Sequence, residues 1–313
     1  MNINNSNKCK TSVDITFANL VENYMNDCKV HLKPTTLANK HHLISTKLLP
    51  YFADMRICDI DISTVRKWQN ELISHENGYA PTYLKTVHNQ LSAIFNFAVK
   101  YYKLPSNPAS ACGSMGKKKA ESMQFWTKEE FDTFVKAVSD KPLSKVVFYL
   151  FFYSGMREGE LLALTLNDFD FDNNTVSITK NYARLGSEDI IQTPKTPKSK
   201  RTITMPAEIM EMVKEYSSML YDYKPTDRLF TVTKSYLTHE MQRGCKLSGV
   251  KKIRIHDLRH SHASLLIELD FAPLLISERL GHENIETTLN TYSHLYPNKH
   301  GEVAEILSKL IQN

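Results

Sequence analysis

Between Pro81 and Ala98 the apolar residues Leu84, Val87, Leu91, Ile94, Phe95 and Ala98 recur at three- and four-residue steps. That is the period of one helical face, so the stretch can bury its apolar side only by packing on other elements. The sequence before it repeats the pattern. Thr16 is placed to cap a segment carrying Phe17, Leu20, Val21 and Tyr24, and Pro34-Thr35-Thr36 opens a second with Leu43, Ile44, Leu48 and Leu49. Ser63 precedes a third with Val65, Trp68 and Leu72, and Pro81-Thr82 starts the longest. Nothing in the first hundred residues alternates as a strand does, so a packed helical bundle is expected. Pro105 and Asn107-Pro108 end the run, and Gly113 to Lys119 has no apolar period, the texture of a linker.

A second domain opens at Trp126, where Thr127 and Glu130 have the spacing of a capping box. Helical pattern continues through Phe131, Phe134 and Val135 and again from Val146 to Leu164. Between Asp168 and Thr204 the short β-branched runs Thr175–Ile178, Ile190-Ile191 and Thr202–Thr204 predict a small antiparallel sheet, and helices return from Ala207. The expected fold is mainly α with a small antiparallel sheet. Residues 1–12 form a tail, 13–108 a helical bundle, 109–122 a linker and 123–313 an α+β domain.

The chain's 313 residues suit two domains, and its net charge of +5 suits a polyanion partner. Cys9, Cys28, Cys58, Cys112 and Cys245 are scattered and odd in number, with no C-x-x-C pair. Neither a disulfide framework nor a thiolate zinc site is indicated, and a reducing cytoplasm is the expected location. No segment reads as a signal peptide, and the most apolar stretch, Val146 to Tyr153, is too short to span a bilayer.

Chemistry concentrates in the C-terminal half. Arg157 lies in Gly155-Met156-Arg157-Glu158-Gly159-Glu160-Leu161, directly after an apolar helix. His256-Asp257-Leu258-Arg259-His260, Leu280-Gly281-His282 and Thr291-Tyr292-Ser293-His294 follow. Two arginines, several imidazoles and a phenol are what in-line attack on a phosphodiester requires. Guanidinium forks neutralise non-bridging oxygens, imidazoles donate or move protons, and a hydroxyl attacks. A metal reading of His256 and His260 is weaker. The metalloprotease pattern needs Glu where Asp257 stands, and Arg259 would repel the cation. Asp168-x-Asp170-x-Asp172-x-Asn174 imitates a calcium loop, but Asn173 replaces the required glycine and Thr179 the bidentate glutamate.

On these motifs the chain resembles the tyrosine recombinase (phage integrase) family over nearly its full length. The resemblance implies a core-binding, SAM-like helical domain followed by the recombinase catalytic domain. It implies Arg157 and Arg259 as phosphate clamps, with Glu160 orienting Arg157 from behind. His256 and His282 become donors or proton carriers and Tyr292 the nucleophile. In Lys195-Thr196-Pro197-Lys198-Ser199-Lys200-Arg201 the family's K-T-x-x-S-x-R pattern falls on Lys195, the implied general acid for the leaving 5′ oxygen, with Lys198, Lys200 and Arg201 close in register. His260 is read as packed or supporting. Thr35, Thr36, Lys40, Lys47, Thr82 and Lys85 are candidate DNA contacts of the helical domain.

The implied reaction cuts and rejoins DNA through a 3′-phosphotyrosyl intermediate without cofactor, metal or ATP. Integration or excision of a phage or mobile element is its first role. The expected partners are double-stranded DNA and three further copies in a tetramer on two sites. An excisionase or a host DNA-bending protein is a further candidate, and no membrane is involved. Many such integrases carry an N-terminal arm-binding domain, and about a dozen residues precede the first helix here, so a resolution or inversion role stays open. A type IB topoisomerase and a catalytically idle DNA-binding protein are the readings from other classes. The final segment, with Val303, Ile306, Leu307, Leu310 and Ile311, carries an apolar stripe suited to docking on a neighbour.

Overall fold

The computed structural model describes residues 15–75, 78–116, 123–194, 196–296 and 308. The apolar stripe of the final segment lies outside the described residues. The chain divides into two compact units, Met1–Ser122 and Met123–Asn313. Among the described residues no helix is long and apolar enough to cross a membrane.

The first unit is helical. Helix α1 spans Phe17–His31, α2 Pro34–Leu43, α3 Leu49–Phe52, α4 Ile62–Ile73, α5 Pro81–Tyr102 and α6 Pro108–Cys112. Thr16 caps α1 through its side chain, whereas α4 is capped by Asp61 and begins one residue before Ser63. The Asp61 carboxylate takes the Thr64 N–H at 2.7 Å, and Ser63 stands within the first turn instead of at its cap. A π-helical turn at Ile44–Leu48 joins α2 to α3. The α5 stripe lies at the centre, with Val87, Leu91, Ile94, Phe95 and Ala98 fully buried against Phe17, Phe52 and Trp68.

The expected linker is corrected here. Residues 108–112 are helix α6, packed on α4 and α5, and Ala109, Cys112 and Met115 belong to the first unit's core. The cause is polar. Gln69 is fully buried on α4, and its amide donates to the Gly113 carbonyl at 2.8 Å and meets His88 Nδ1 at 3.1 Å. A buried amide left unpaired is costly, so this stretch is held in place despite its weak apolar pattern.

The second unit is α+β. Helices α7 (Lys128–Val138), α8 (Pro142–Ser154) and α9 (Glu158–Leu161) precede five short strands. The Thr127–Glu130 capping box is present at the start of α7. Strands β1 (Phe169–Asp170), β2 (Thr175–Ile178) and β5 (Arg201–Thr204) form one antiparallel sheet in the order β1-β2-β5. Strands β3 (Asn181–Leu185) and β4 (Glu188–Gln192) pair separately as a hairpin. The single sheet expected from sequence is therefore two, because the chain leaves β2 for a self-paired ribbon before returning as β5. Helices α10 (Ala207–Ser218), α11 (Lys234–Ser248), α12 (Asp257–Glu268), α13 (Pro273–Leu280) and α14 (Ile285–Tyr292) complete the unit. In the Asp168–Asn174 stretch β1 runs into a turn over 171–174, where Asp170 accepts the backbone N–H groups of Asp172 and Asn173, and Asp168 pairs with Lys180.

Candidate active site

Two helix C-termini build the floor. Helix α8 ends at Gly155 (φ 64°) and α13 at Gly281 (φ 68°), both left-handed. At α13 the N–H of His282 returns to the Ser277 carbonyl and that of Gly281 to Glu278, a Schellman closure that turns the chain sharply at His282. A Cβ at Gly155 would sit 2.7 Å from the His262 ring and the Leu280 side chain, so no larger residue fits.

Guanidinium groups gather over these ends, where the helix dipoles favour cations. Arg259, 3% exposed on α12, donates from Nη1 to the Gly155 carbonyl and from Nη2 to the Leu280 carbonyl, both at 2.7 Å. Arg157 donates from Nη1 to Glu160 Oε1 at 2.7 Å and from Nη2 to the Gly281 carbonyl at 3.3 Å. Glu160, 2% exposed, also takes the Arg157 backbone N–H. Burial, then the neighbouring cations of Arg157 and Arg201, push the Arg259 pKa down to about 9.

The imidazoles are equally constrained. His256 stands at the N-cap of α12, its ring 5.4 Å from that of His260. His282 Nδ1 meets the hydroxyl of the fully buried Thr288 at 2.8 Å, leaving Nε2 as the ring's other functional nitrogen. Burial and the surrounding arginines push His282 down to about 3 and His260, by burial and His256, to about 4. Tyr292, 1% exposed at the end of α14, has its pKa pushed up to about 12 by burial, opposed by Arg259. Its hydroxyl lies 2.8 Å from His260 Nδ1. His260 thus reaches the phenol itself.

The structure brings Arg157, Glu160, His256, Arg259, His260, His282 and Tyr292 together. Lys195 lies outside the described residues. Nearby, Lys198 donates to the Glu283 carbonyl at 2.8 Å. Sequence reasoning missed Arg201 as a participant. It donates to Glu160 Oε2 at 3.0 Å, to the Arg279 carbonyl at 2.7 Å and to the Ser199 carbonyl at 3.0 Å. One nearly buried side chain therefore ties β5, α9 and α13 together. Its signal was the last position of K-T-x-x-S-x-R. Behind it Arg279 donates to His262 Nε2, while His262 Nδ1 donates to the Phe152 carbonyl.

The candidate DNA contacts of the first unit lie on α2, the π-helical turn and α5. Thr36 and Thr82 are exposed, and Thr35 and Lys85 half-buried. Lys40 donates inward to the Tyr24 hydroxyl and Gln90 Oε1, and Lys47 to the Tyr79 hydroxyl. Among the described residues no cluster of histidine, cysteine or carboxylate side chains is arranged to hold a metal.

The model of the phage integrase family matches residues 124–299, and that of the phage integrase N-terminal SAM-like domain matches residues 16–73. The chain belongs to the phage integrase family. It is accordingly a site-specific DNA recombinase of the tyrosine type. The ICEBs1 integrase of Bacillus subtilis is 28% identical, covering 97% of this chain and 86% of that protein. The integrase of Staphylococcus phage L54a is 25% identical, covering 99% and 97%. The fold is that of the Tn1549 transposon integrase in complex with a circular intermediate DNA, with a TM-score of 0.77 at 19% identity, covering 95% of this chain and 99% of that one. The lambda integrase tetramer bound to a Holliday junction gives 0.67 at 17% identity, covering 93% and 80%.

Proposed function

We propose that this recombinase integrates and excises a phage or conjugative element, with Tyr292 as its nucleophile. The observation that carries the reading is electrostatic. Three guanidiniums, Arg157, Arg201 and Arg259, surround a single carboxylate, Glu160, with a phenol on the adjoining helix. Such an excess of positive charge around one buried carboxylate is relieved by an anion, and a scissile phosphate is the anion a phenol attacks.

Arg157 and Arg259 hold the non-bridging oxygens, and His282 Nε2 and His256 add donors. His260, held neutral, takes the Tyr292 proton as the phenol oxygen bonds to phosphorus. The bond to the 5′ oxygen breaks, Lys195 gives that oxygen its proton, and a 3′-phosphotyrosyl link with a free 5′ hydroxyl remains. A hydroxyl of the partner duplex reverses the step, so the link conserves the bond energy and no nucleotide is consumed. Four copies act on two duplexes, and the apolar stripe after Gly301 docks on a neighbour. The names of the ICEBs1, L54a and Tn1549 relatives support the mobile-element role. A resolution role is the second reading, favoured by a XerC-like tyrosine recombinase of Caldanaerobacter subterraneus, 25% identical over 95% of this chain.

Tyr292→Phe tests the assignment, because it removes one oxygen and keeps the ring. On a nicked suicide duplex carrying the element's junction, the variant should bind DNA and form no covalent adduct on a denaturing gel. A persistent adduct would overturn Tyr292 as nucleophile.

A further inference from the structure

A threonine inside a helix ordinarily returns its hydroxyl proton to the carbonyl four residues back. Thr86, Thr133, Thr238 and Thr291 all do so, at 2.6 to 3.1 Å. Thr288 does not. Its side chain is fully buried on α14, and its hydroxyl meets His282 Nδ1 at 2.8 Å and, among the described residues, no backbone carbonyl. Thr288 and Tyr292 are the buried residues of α14 and stand one turn apart on one face.

Counting protons decides the direction of that bond. The hydroxyl carries one hydrogen and, being fully buried, has no solvent to give it to. If Nδ1–H were the donor, the hydroxyl hydrogen would be buried without an acceptor, which is costly. The threonine therefore donates and Nδ1 accepts. Burial, then the surrounding arginines, keeps His282 neutral, so the ring has a single proton to place. With Nδ1 accepting, that proton is on Nε2. His262 shows the opposite outcome from the same rule. Arg279 Nε donates to its Nε2 at 3.1 Å, so Nδ1 carries the proton and donates to the Phe152 carbonyl at 2.8 Å.

We infer that Thr288 is a positioning residue for strand cleavage, holding His282 in the tautomer whose Nε2–H can donate to the scissile phosphate. The inference rests on the reading that His282 is such a donor. Thr288 touches no substrate atom and acts through the imidazole. Because it lies one turn before Tyr292, the same bond ties the donor's turn after α13 to the helix of the nucleophile.

The experiment uses the full chain with isotopically labelled histidine, and long-range proton–nitrogen correlation spectra at neutral pH. His282 signals are assigned by their loss in His282→Ala. The wild-type spectrum should show His282 protonated on Nε2 and His262 on Nδ1. Thr288→Val should mix the His282 tautomers. It should also slow cleavage of the suicide duplex at saturating DNA by roughly tenfold, less than the roughly 10²–10³ expected when a donor is lost outright, with Kd unchanged. Thr288→Ser keeps the hydroxyl and should restore the spectrum and most of the rate. In a His282→Ala background Thr288→Val should cost no further rate, because the effect passes through the imidazole. An equal loss in both backgrounds would overturn the inference and make Thr288 a packing residue of α14. A proton on Nδ1 of His282 in the wild-type spectrum would overturn it without any Thr288 variant having to fold. A normal cleavage rate in His282→Ala would instead defeat the donor reading, and the spectrum would still decide the tautomer.

Discussion

The two units bury polar groups in different ways. Among the described residues the first unit buries Gln69, His88, Gln90 and Asn107, all neutral, and surrounds them with apolar stripes. The second buries Glu160, Asp168, Glu240, Asp257 and Arg259. Taking an ion out of water costs several kcal/mol even after relaxation, and its partner often does no more than offset this. Stability alone would not select so many buried charges in one unit and none in the other. Three of the second unit's buried ions, Glu160, Asp257 and Arg259, belong to or adjoin the candidate site, while Asp168 pairs with Lys180 and Glu240 with Lys141 and Arg243.

The largest expected effect tests that difference directly. Arg259→Ala removes a donor pre-set between two helix ends and leaves the Gly155 and Leu280 carbonyls without it. Cleavage on the suicide duplex should fall by roughly 10²–10³, as for loss of one preorganised donor to a developing oxyanion. Arg157→Ala should behave alike, and a near-normal rate in either variant would return that arginine to a structural role. In the first unit, Leu91→Ala empties a fully buried site at the bundle's centre. It should cost about 2–5 kcal/mol of stability with an unchanged cleavage rate per folded molecule. If the Leu91 variant instead slows cleavage at saturating DNA while remaining folded, the division of labour between the units is wrong.

Arg201 sharpens the comparison. It touches Glu160 and two backbone carbonyls, so under the proposed assignment it would act on the phosphate through Arg157. Arg201→Ala should lower the cleavage rate at saturating DNA by roughly tenfold, about the value of one charge-assisted bond, with little change in DNA Kd. Arg201→Lys should restore part of it. An increase in Kd with the rate intact would place Arg201 on the DNA instead. Gly159→Ala is expected to be costly for a related reason. Its Cβ would lie 2.4 Å from Asn181 Oδ1 and 2.7 Å from the Tyr182 carbonyl, forcing β3 away from α9. A loss of about 1–3 kcal/mol should appear in chemical denaturation.

Much of this was legible beforehand, for physical reasons. The α5 stripe dictates burial by its period alone, and the Arg157 and His282 motifs each follow a helix end that the sequence marks with glycine. Three things were not legible. The fold of residues 108–116 depends on a partner for Gln69, which no local pattern reveals. The β3–β4 ribbon depends on a pairing choice between similar short strands. Arg201 stands among lysines, and although it closes the K-T-x-x-S-x-R pattern, its contact with Glu160 depends on the return of β5 beside α9. Long-range polar satisfaction has no period, so sequence patterning does not carry it.

The smallest effect concerns pH and is read separately in each unit, because the chain's two tryptophans, Trp68 and Trp126, fall one in each. In the second unit His260 is held down to about 4, and His262 and His282 to about 3, first by burial and then by nearby cationic or imidazole groups. In the first unit burial, then Lys85 and Arg66, lowers His88. A histidine with a depressed pKa binds fewer protons folded than unfolded once pH falls below its ordinary value near 6.5. Stability then declines with falling pH between that value and the folded one. Buried carboxylates held low, such as Glu160 and Asp257, act in the same direction but only below about 4.5, their ordinary range. Between pH 6.5 and 5 the histidines therefore drive the loss, opposed in the second unit by Glu158, which burial holds above the ordinary carboxylate range. Urea unfolding followed by the fluorescence of Trp126 in Trp68→Phe should lose midpoint over this window, and that of Trp68 in Trp126→Phe should lose less. Equal losses from the two probes would mean that the units unfold together or that the second unit's imidazoles are not held neutral, and in either case the contrast between the two interiors would not survive.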